Sequence, residues 1–180
     1  MKKTVNYVIT LSLFCIIAAV SLAFLYIYTM PQINHWKELN TRLAVSSVIP
    51  GVAEIKEKKI GNQVYFIGMK EGKGIGLAIK TAPKGYSGPI QMLVGIDTKR
   101  NVSGIEILDQ KETPGLGANI LTKDFKCTGK SFVAQFIGKN AQSPLKAKED
   151  IDALTGATIS SNAVCQGVRD AYKIKQGIKP

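Results

Sequence analysis

Hydrophobic positions are spread unevenly along this 180-residue chain. From Tyr7 to Tyr28 it runs 22 residues without a charge, and the next charged side chain is Lys37. At 1.5 Å rise per residue such a helix is about 33 Å long, enough to cross a hydrocarbon core. Tyr26, Tyr28 and Trp36 stand at its far end, where an interfacial aromatic belt belongs. A cleaved signal peptide ending at Ser21-Leu22-Ala23 is the competing pattern. The apolar run is too long for that pattern and continues past Ala23. Phe14 ahead of Cys15 also departs from a lipoprotein-type site. The pattern predicts an uncleaved span over 1–30, with Lys2-Lys3 held in the cytoplasm and the main domain outside it.

After a break at Pro31, Gln32–Ser47 reads as a helix with Leu39, Leu43 and Val48 near one face, stopped by Pro50-Gly51. This sets a stalk at 31–50 and a folded domain at 51–180. Strand-like runs follow at Val64–Ile67, Ile75–Lys80, Ile90–Ile96 and Val102–Leu108. Turn residues separate them, at Lys70–Gly74, Pro83–Pro89 and Asp97–Asn101. Consecutive strands joined by short turns predict an antiparallel meander, so the fold class is α+β. A turn into a helix is expected around Asn119–Asp124, and a further strand at Phe132–Ile137. Between Ile159 and Gln176, Ala163, Val164, Val168, Ala171 and Tyr172 recur at helical spacing and predict an amphipathic C-terminal helix. Helices flank the sheet in this picture.

The formal net charge is +11. Its lysines are scattered, with neither zinc-finger spacing nor interleaved aromatics, and nucleic-acid binding is not the reading they favour. The three cysteines, Cys15, Cys127 and Cys165, form no C-x-x-C pair, and the single His35 offers no metal cluster. Cys15 reads as a buried small residue and the other two as free thiols, with a Cys127–Cys165 pair left open. Gly72-Lys73-Gly74-Ile75-Gly76 lacks the Gly-Lys-Ser/Thr ending and the following helix of a nucleotide loop, and reads as a hairpin turn.

Three loops carry candidate chemistry. In Asp152-Ala153-Leu154-Thr155-Gly156-Ala157-Thr158, hydroxyls flank a Gly-Ala pair just before the C-terminal helix. Such a turn presents free N–H groups at the positive end of a helix, a seat for a phosphate. The plainer alternative is an ordinary cap, with Thr158 or Ser160 as the capping residue. Glu112-Thr113-Pro114-Gly115-Leu116-Gly117 has glycines that let backbone approach a ligand, a plain turn being the alternative, and Gly85-Tyr86-Ser87-Gly88-Pro89 lies in a turn between strands.

In this order, behind one membrane span, the three loops resemble the covalent-FMN subunits of ion-pumping respiratory complexes. The likeness is to the G-type subunit of the Rnf (Rsx) electron-transport complex, and more distantly to the longer C-type subunit of Na⁺-translocating NADH:quinone reductase. Asp-x-x-Thr-Gly-Ala-Thr is the specific element, resembling the recognition sequence of a flavin transferase. The resemblance implies a phosphoester between FMN and the Thr158 hydroxyl. Asp152, Thr155, Gly156, Ala157 and Thr158 would be read by the transferase, which uses FAD and magnesium. Further FMN contacts carry over to Gly85, Tyr86, Gly88, Glu112, Thr113, Leu116 and Gly117, with Thr155, Gly156 and Ala157 shaping the phosphate turn. No residue is assigned a catalytic role, and no metal site is implied. Gln110 stands where the family often has His, and Thr155 where Ser is commoner.

The implied function is electron relay within an ion-translocating ferredoxin:NAD⁺ oxidoreductase of a bacterial or archaeal cell membrane. Its partners would be membrane core subunits, a membrane FMN subunit and iron–sulfur subunits. A quinone-reductase subunit or stand-alone flavoprotein is the alternative, and a cofactor-free tethered binding domain is the alternative of another class.

Overall fold

A computed structural model describes residues 2–61, 63–122, 125 and 129–178. Helix α1 spans Lys2–Val48, with Pro31 inside it. The break expected at Pro31 is absent. Proline removes one backbone donor and crowds the preceding turn, and the remaining bonds of a long helix carry it through. Residues 1–40 and 41–180 form separate compact units. In the first unit the large apolar side chains from Val5 to Tyr28 are exposed. The helix is long and apolar enough to cross a membrane. Cys15 is exposed on it rather than buried, as a lipid-facing residue of a lone span would be.

The second unit is built on a five-stranded antiparallel meander in the order β1-β2-β3-β4-β5. Its strands are β1 Glu54–Ile60, β2 Gln63–Lys70, β3 Lys73–Thr81, β4 Gln91–Asp97 and β5 Val102–Asp109. Strand β1 falls outside the expected runs. Its sequence Glu-Ile-Lys-Glu-Lys-Lys-Ile is almost wholly charged and exposed, and main-chain pairing with β2 holds it. Charged side chains on an edge strand also discourage pairing with another chain. Glu71 and Gly72, with φ of 52° and 75°, close the β2–β3 hairpin opposite the Lys70–Lys73 pair. That is the turn geometry whose twist suits an antiparallel pair.

One face of the sheet carries helix α2, Thr158–Gly177, and two 3₁₀ helices at Gly117–Leu121 and Phe132–Phe136. The helix at Phe132–Phe136 stands where a strand is expected. A short apolar run has no periodicity of its own to decide the matter. Here Phe132 and Phe136 are both buried and meet edge to face, which one turn of helix allows and an extended strand does not. The first 3₁₀ helix ends at Thr122, in extended backbone, and the rest of the expected Asn119–Asp124 helix lies outside the described residues. Val164, Val168 and Ala171 of α2 pack with Ile79, Met92 and Val94 of the sheet. Cys165 lies in this core, and burial pushes its thiol pKa up to about 11. Cys127 lies outside the described residues.

The opposite face carries the end of α1. Ala44, Val45, Val48 and Ile49 are buried against Phe66, Ala78 and Leu93. Gly95 and Gly104 face each other across β4 and β5 and admit the backbone of Val48. A Cβ on Gly104 would lie 2.7 Å from Val48 Cα. Ser103 Oγ donates to the Val48 carbonyl at 2.6 Å, satisfying one of the carbonyls a helix end leaves open. Gly104→Ala therefore overpacks the joint and should cost about 1–3 kcal/mol. The expected result is a melting temperature lower by roughly 5 °C. An unchanged melting curve would refute this close-packing argument.

Candidate functional site

The three loops converge on one carboxylate. Glu112 is only 5% exposed, and such burial is costly unless the charge is met by donors. Its donors include Ser87 N–H at 3.0 Å, Tyr86 N–H at 3.3 Å and Ser160 Oγ at 2.5 Å. The first two come from the Gly85–Pro89 loop and the third from the start of α2. The carboxylate thereby ties the loop after β3 to the helix that closes the chain.

Two of the predicted glycines are explained by this packing. A Cβ on Gly85 would lie 2.5 Å from Glu112 Oε1. One on Gly117 would lie 2.5 Å from Ser160 Oγ and 2.6 Å from Glu112 Oε2. Gln110 also finds a role, its Oε1 accepting the Glu112 N–H at 2.5 Å. Beyond Glu112 the chain turns tightly. Leu116 and Ala118 N–H both donate to the Thr113 carbonyl, and Gly115 takes a φ of +77° that a side chain would strain.

Burial raises the Glu112 pKa, but hydrogen bonds from Ser160, Ser87, Tyr86 and Gly88 outweigh it and hold the carboxyl below its usual value. A depressed folded-state value adds stability that is fully present above the unfolded value. That stability is lost as pH falls through the folded one. Wild-type protein should therefore lose melting temperature more steeply than Glu112→Gln as pH is lowered below about 4.3. Parallel acid slopes in the two proteins would contradict this.

The third loop sets the start of α2. Ala157 N–H donates to the Leu154 carbonyl at 3.1 Å, and Gly156 takes a φ of +70°. Ser161 braces the turn twice: its Oγ accepts the Leu154 N–H and donates to the Ala157 carbonyl, each at 3.0 Å. Ala157 is the capping residue, and no side chain caps the helix. Thr158 and Ser160 thus do not serve as its cap. The first-turn N–H groups of α2 have no partners within the helix, and they carry the positive end of its dipole. Asp152 is exposed, and its N–H and carbonyl pair with the Gln135 side chain at 3.0 and 3.3 Å.

Between the loops lies a cleft of about 560 Å³. Its walls include Tyr86, Glu112, Thr113, Leu116, Gly117, Gly156, Ala157 and Thr158, all predicted from the sequence. Gly85, Gly88 and Thr155 are not on the wall: the two glycines flank Tyr86 in its loop, Gly85 buried and Gly88 half-buried, and Thr155 is exposed on the turn before α2. Ile159 and Ser160 also line the cleft and were not among the predicted residues. The available signal was the Ser160-Ser161 pair just inside a helix, where serine is a poor former unless its hydroxyl has local work. The rim is apolar and open, with Tyr86 70%, Ile159 55% and Leu116 46% exposed.

This arrangement fits FMN. The volume lies in the range of small-molecule sites, which are mostly apolar with a few placed polar groups. Apolar surfaces suit the ring system, and one end offers an uncapped helix N-terminus to a phosphate. Comparison with known proteins agrees. Residues 85–173 match the family model described as an FMN-binding domain. The chain is 32% identical to the G-type subunit of the proton-translocating ferredoxin:NAD(+) oxidoreductase complex of Clostridium ljungdahlii, covering 91% of this chain and 86% of that one. It is 30% identical to the Na(+)-translocating counterpart of Acetobacterium woodii, covering 90% and 86%. With the G-type subunit of the ion-translocating oxidoreductase complex of Yersinia pestis it shares 32% identity, covering 100% and 94%.

Proposed function

We propose that this chain, which belongs to the FMN-binding G-type subunit family of ion-translocating oxidoreductase complexes, carries its FMN as a phosphoester on Thr158. It acts as an electron carrier of a membrane-bound ferredoxin:NAD⁺ oxidoreductase complex of the Rnf type. The observation that carries the covalent reading is the place of Thr158. It is the first residue of α2, half-buried on the cleft wall, and no described residue pairs with its hydroxyl.

During maturation a flavin transferase supplies FAD. The Thr158 oxygen forms the bond to the flavin-side phosphorus, the bond from that phosphorus to the bridging oxygen breaks, and AMP leaves with that oxygen. The hydroxyl proton is released. Asp152, exposed on the approach to the turn, marks the site for that enzyme. In the holoprotein the first-turn N–H groups of α2 hold the phosphate. Tyr86, Leu116 and Ile159 cover the ring system, and Thr113 offers it a hydroxyl. Glu112 acts by positioning, holding the Tyr86 loop against α2. Bound FMN supplies one-electron transfer between neighbouring carriers, and the protein sets its placement.

Residues 1–30 anchor the chain by a single span, with the N-terminus cytoplasmic and the flavin domain outside. The span has no charged residue between Tyr7 and Tyr28 of the kind that marks an ion path through a membrane. Iron–sulfur and membrane FMN subunits are the expected electron partners. Full-length protein co-produced with a flavin transferase should give a band on a denaturing gel that fluoresces under ultraviolet light. A dark band at equal loading would sink the covalent reading.

A further inference from the structure

We infer that the choice of Thr158 among the four hydroxyls of the Thr155–Ser161 segment is enforced by hydrogen bonding, with Glu112 and Ser160 forming the pair that withholds the nearest competitor. This rests on the covalent reading above and asks why only one hydroxyl takes the flavin. The segment offers Thr155, Thr158, Ser160 and Ser161 within seven residues. Ser160 lines the same cleft as Thr158, so reach alone does not separate them.

The hydroxyls differ in what already holds them. Ser161 is fully buried, with its proton committed to the Ala157 carbonyl and its oxygen to the Leu154 N–H. Thr155 is exposed on the turn, off the cleft wall and ahead of the helix N–H groups that would receive a phosphate. Ser160 is 2% exposed and donates to Glu112 Oε2 at 2.5 Å. Backbone also crowds it, because a single added carbon on Gly117 would stand 2.5 Å from its oxygen.

A carboxylate beside a serine can act as a base, yet two features oppose that here. The same carboxylate accepts the Tyr86 and Ser87 N–H groups, which lowers its basicity. Transfer to Ser160 would also set an anionic phosphodiester against an ionised carboxylate, and like charges at that separation repel strongly away from bulk water. Thr158 carries neither restraint. Its oxygen can form the bond to the flavin-side phosphorus of FAD as AMP departs, with the proton released.

The test reads the modified residue by peptide mass spectrometry, on full-length protein co-produced with a flavin transferase. Wild type should carry the mass of one FMN less water on Thr158 alone. Thr158→Ala should carry none, with Ser160 and Ser161 unmodified. Adding Glu112→Ala to Thr158→Ala should bring flavin onto Ser160, which stays unmodified in the single variant. Flavin on Ser160 in Thr158→Ala with Glu112 intact would overturn the inference. So would a double variant that melts cooperatively and stays unmodified. Should Glu112→Ala fail to fold, Thr158→Ala with Glu112→Leu fills much of the same space and removes both the charge and the acceptor of the Ser160 bond. Flavin on its Ser160 supports the inference, and none refutes it. Wild-type protein with Thr158 unmodified is a different failure, which removes the covalent reading itself.

Discussion

Thr158→Ala is expected to abolish covalent flavin while leaving the fold in place. Its hydroxyl takes part in no hydrogen bond among the described residues, and Ala157, which caps α2 without a side-chain bond, is untouched. The turn keeps its bracing from Ser161. Alanine is the best helix former, so the first turn of α2 loses nothing intrinsic. Melting temperature of the flavin-free variant should therefore match that of flavin-free wild type to within about 2 °C, the scale of a 0.5 kcal/mol surface change. Electron transfer through the complex should fall to background, because the carrier is missing rather than mistuned. Thr158→Ser keeps a hydroxyl at the same place and should restore a large part of the flavin content. Full flavin content in Thr158→Ala would contradict the assignment. A large loss of melting temperature would show that Thr158 is structural instead.

The second large effect concerns where the flavin domain begins. Protein starting at Thr41 keeps the end of α1, and protein starting at Gly51 loses it. Val45, Val48 and Ile49 are each at most 3% exposed, and burying such a side chain is worth about 1.5–3 kcal/mol. Removing all three strips roughly 5 kcal/mol or more, comparable with the whole stability of an ordinary domain. The loss also uncovers Phe66, Ala78 and Leu93 on one face of the sheet, and a bared apolar sheet face invites aggregation. Soluble, cooperatively melting protein is expected from the longer form. The shorter form should aggregate or melt far lower. Equal melting temperatures would mean that α1 contributes nothing to the domain.

The meander was legible because its signals are local. Strand runs alternate with turn residues, and Glu71-Gly72 supplies the positive φ values that a tight hairpin needs. Helix α2 was legible from its period, since Ala163, Val164, Val168, Ala171 and Tyr172 share the buried face. Strand β1 was not, because an edge strand held by backbone pairing needs no apolar pattern. Phe132–Phe136 failed for the opposite reason, as its apolar run suits strand or helix equally.

At the site, the family resemblance carried the loops, and the cleft walls gather most of the residues it named. The bond between Glu112 and Ser160 joins positions 48 residues apart, and no local pattern announces it. The backbone donors of Tyr86 and Ser87 are equally silent, because every non-proline residue carries an N–H. Gln110 reads in sequence as the replacement of a histidine. Only its contact with the Glu112 N–H shows that an acceptor is what the position provides.

The central claim is that one threonine holds the flavin. Intact mass of denatured, full-length protein, produced with a flavin transferase and followed by peptide mapping, tests it most directly. One added FMN less water, confined to the peptide carrying Thr158 and absent from Thr158→Ala, is the predicted result. An unmodified mass, or flavin held on any other residue of the wild-type chain, would contradict it.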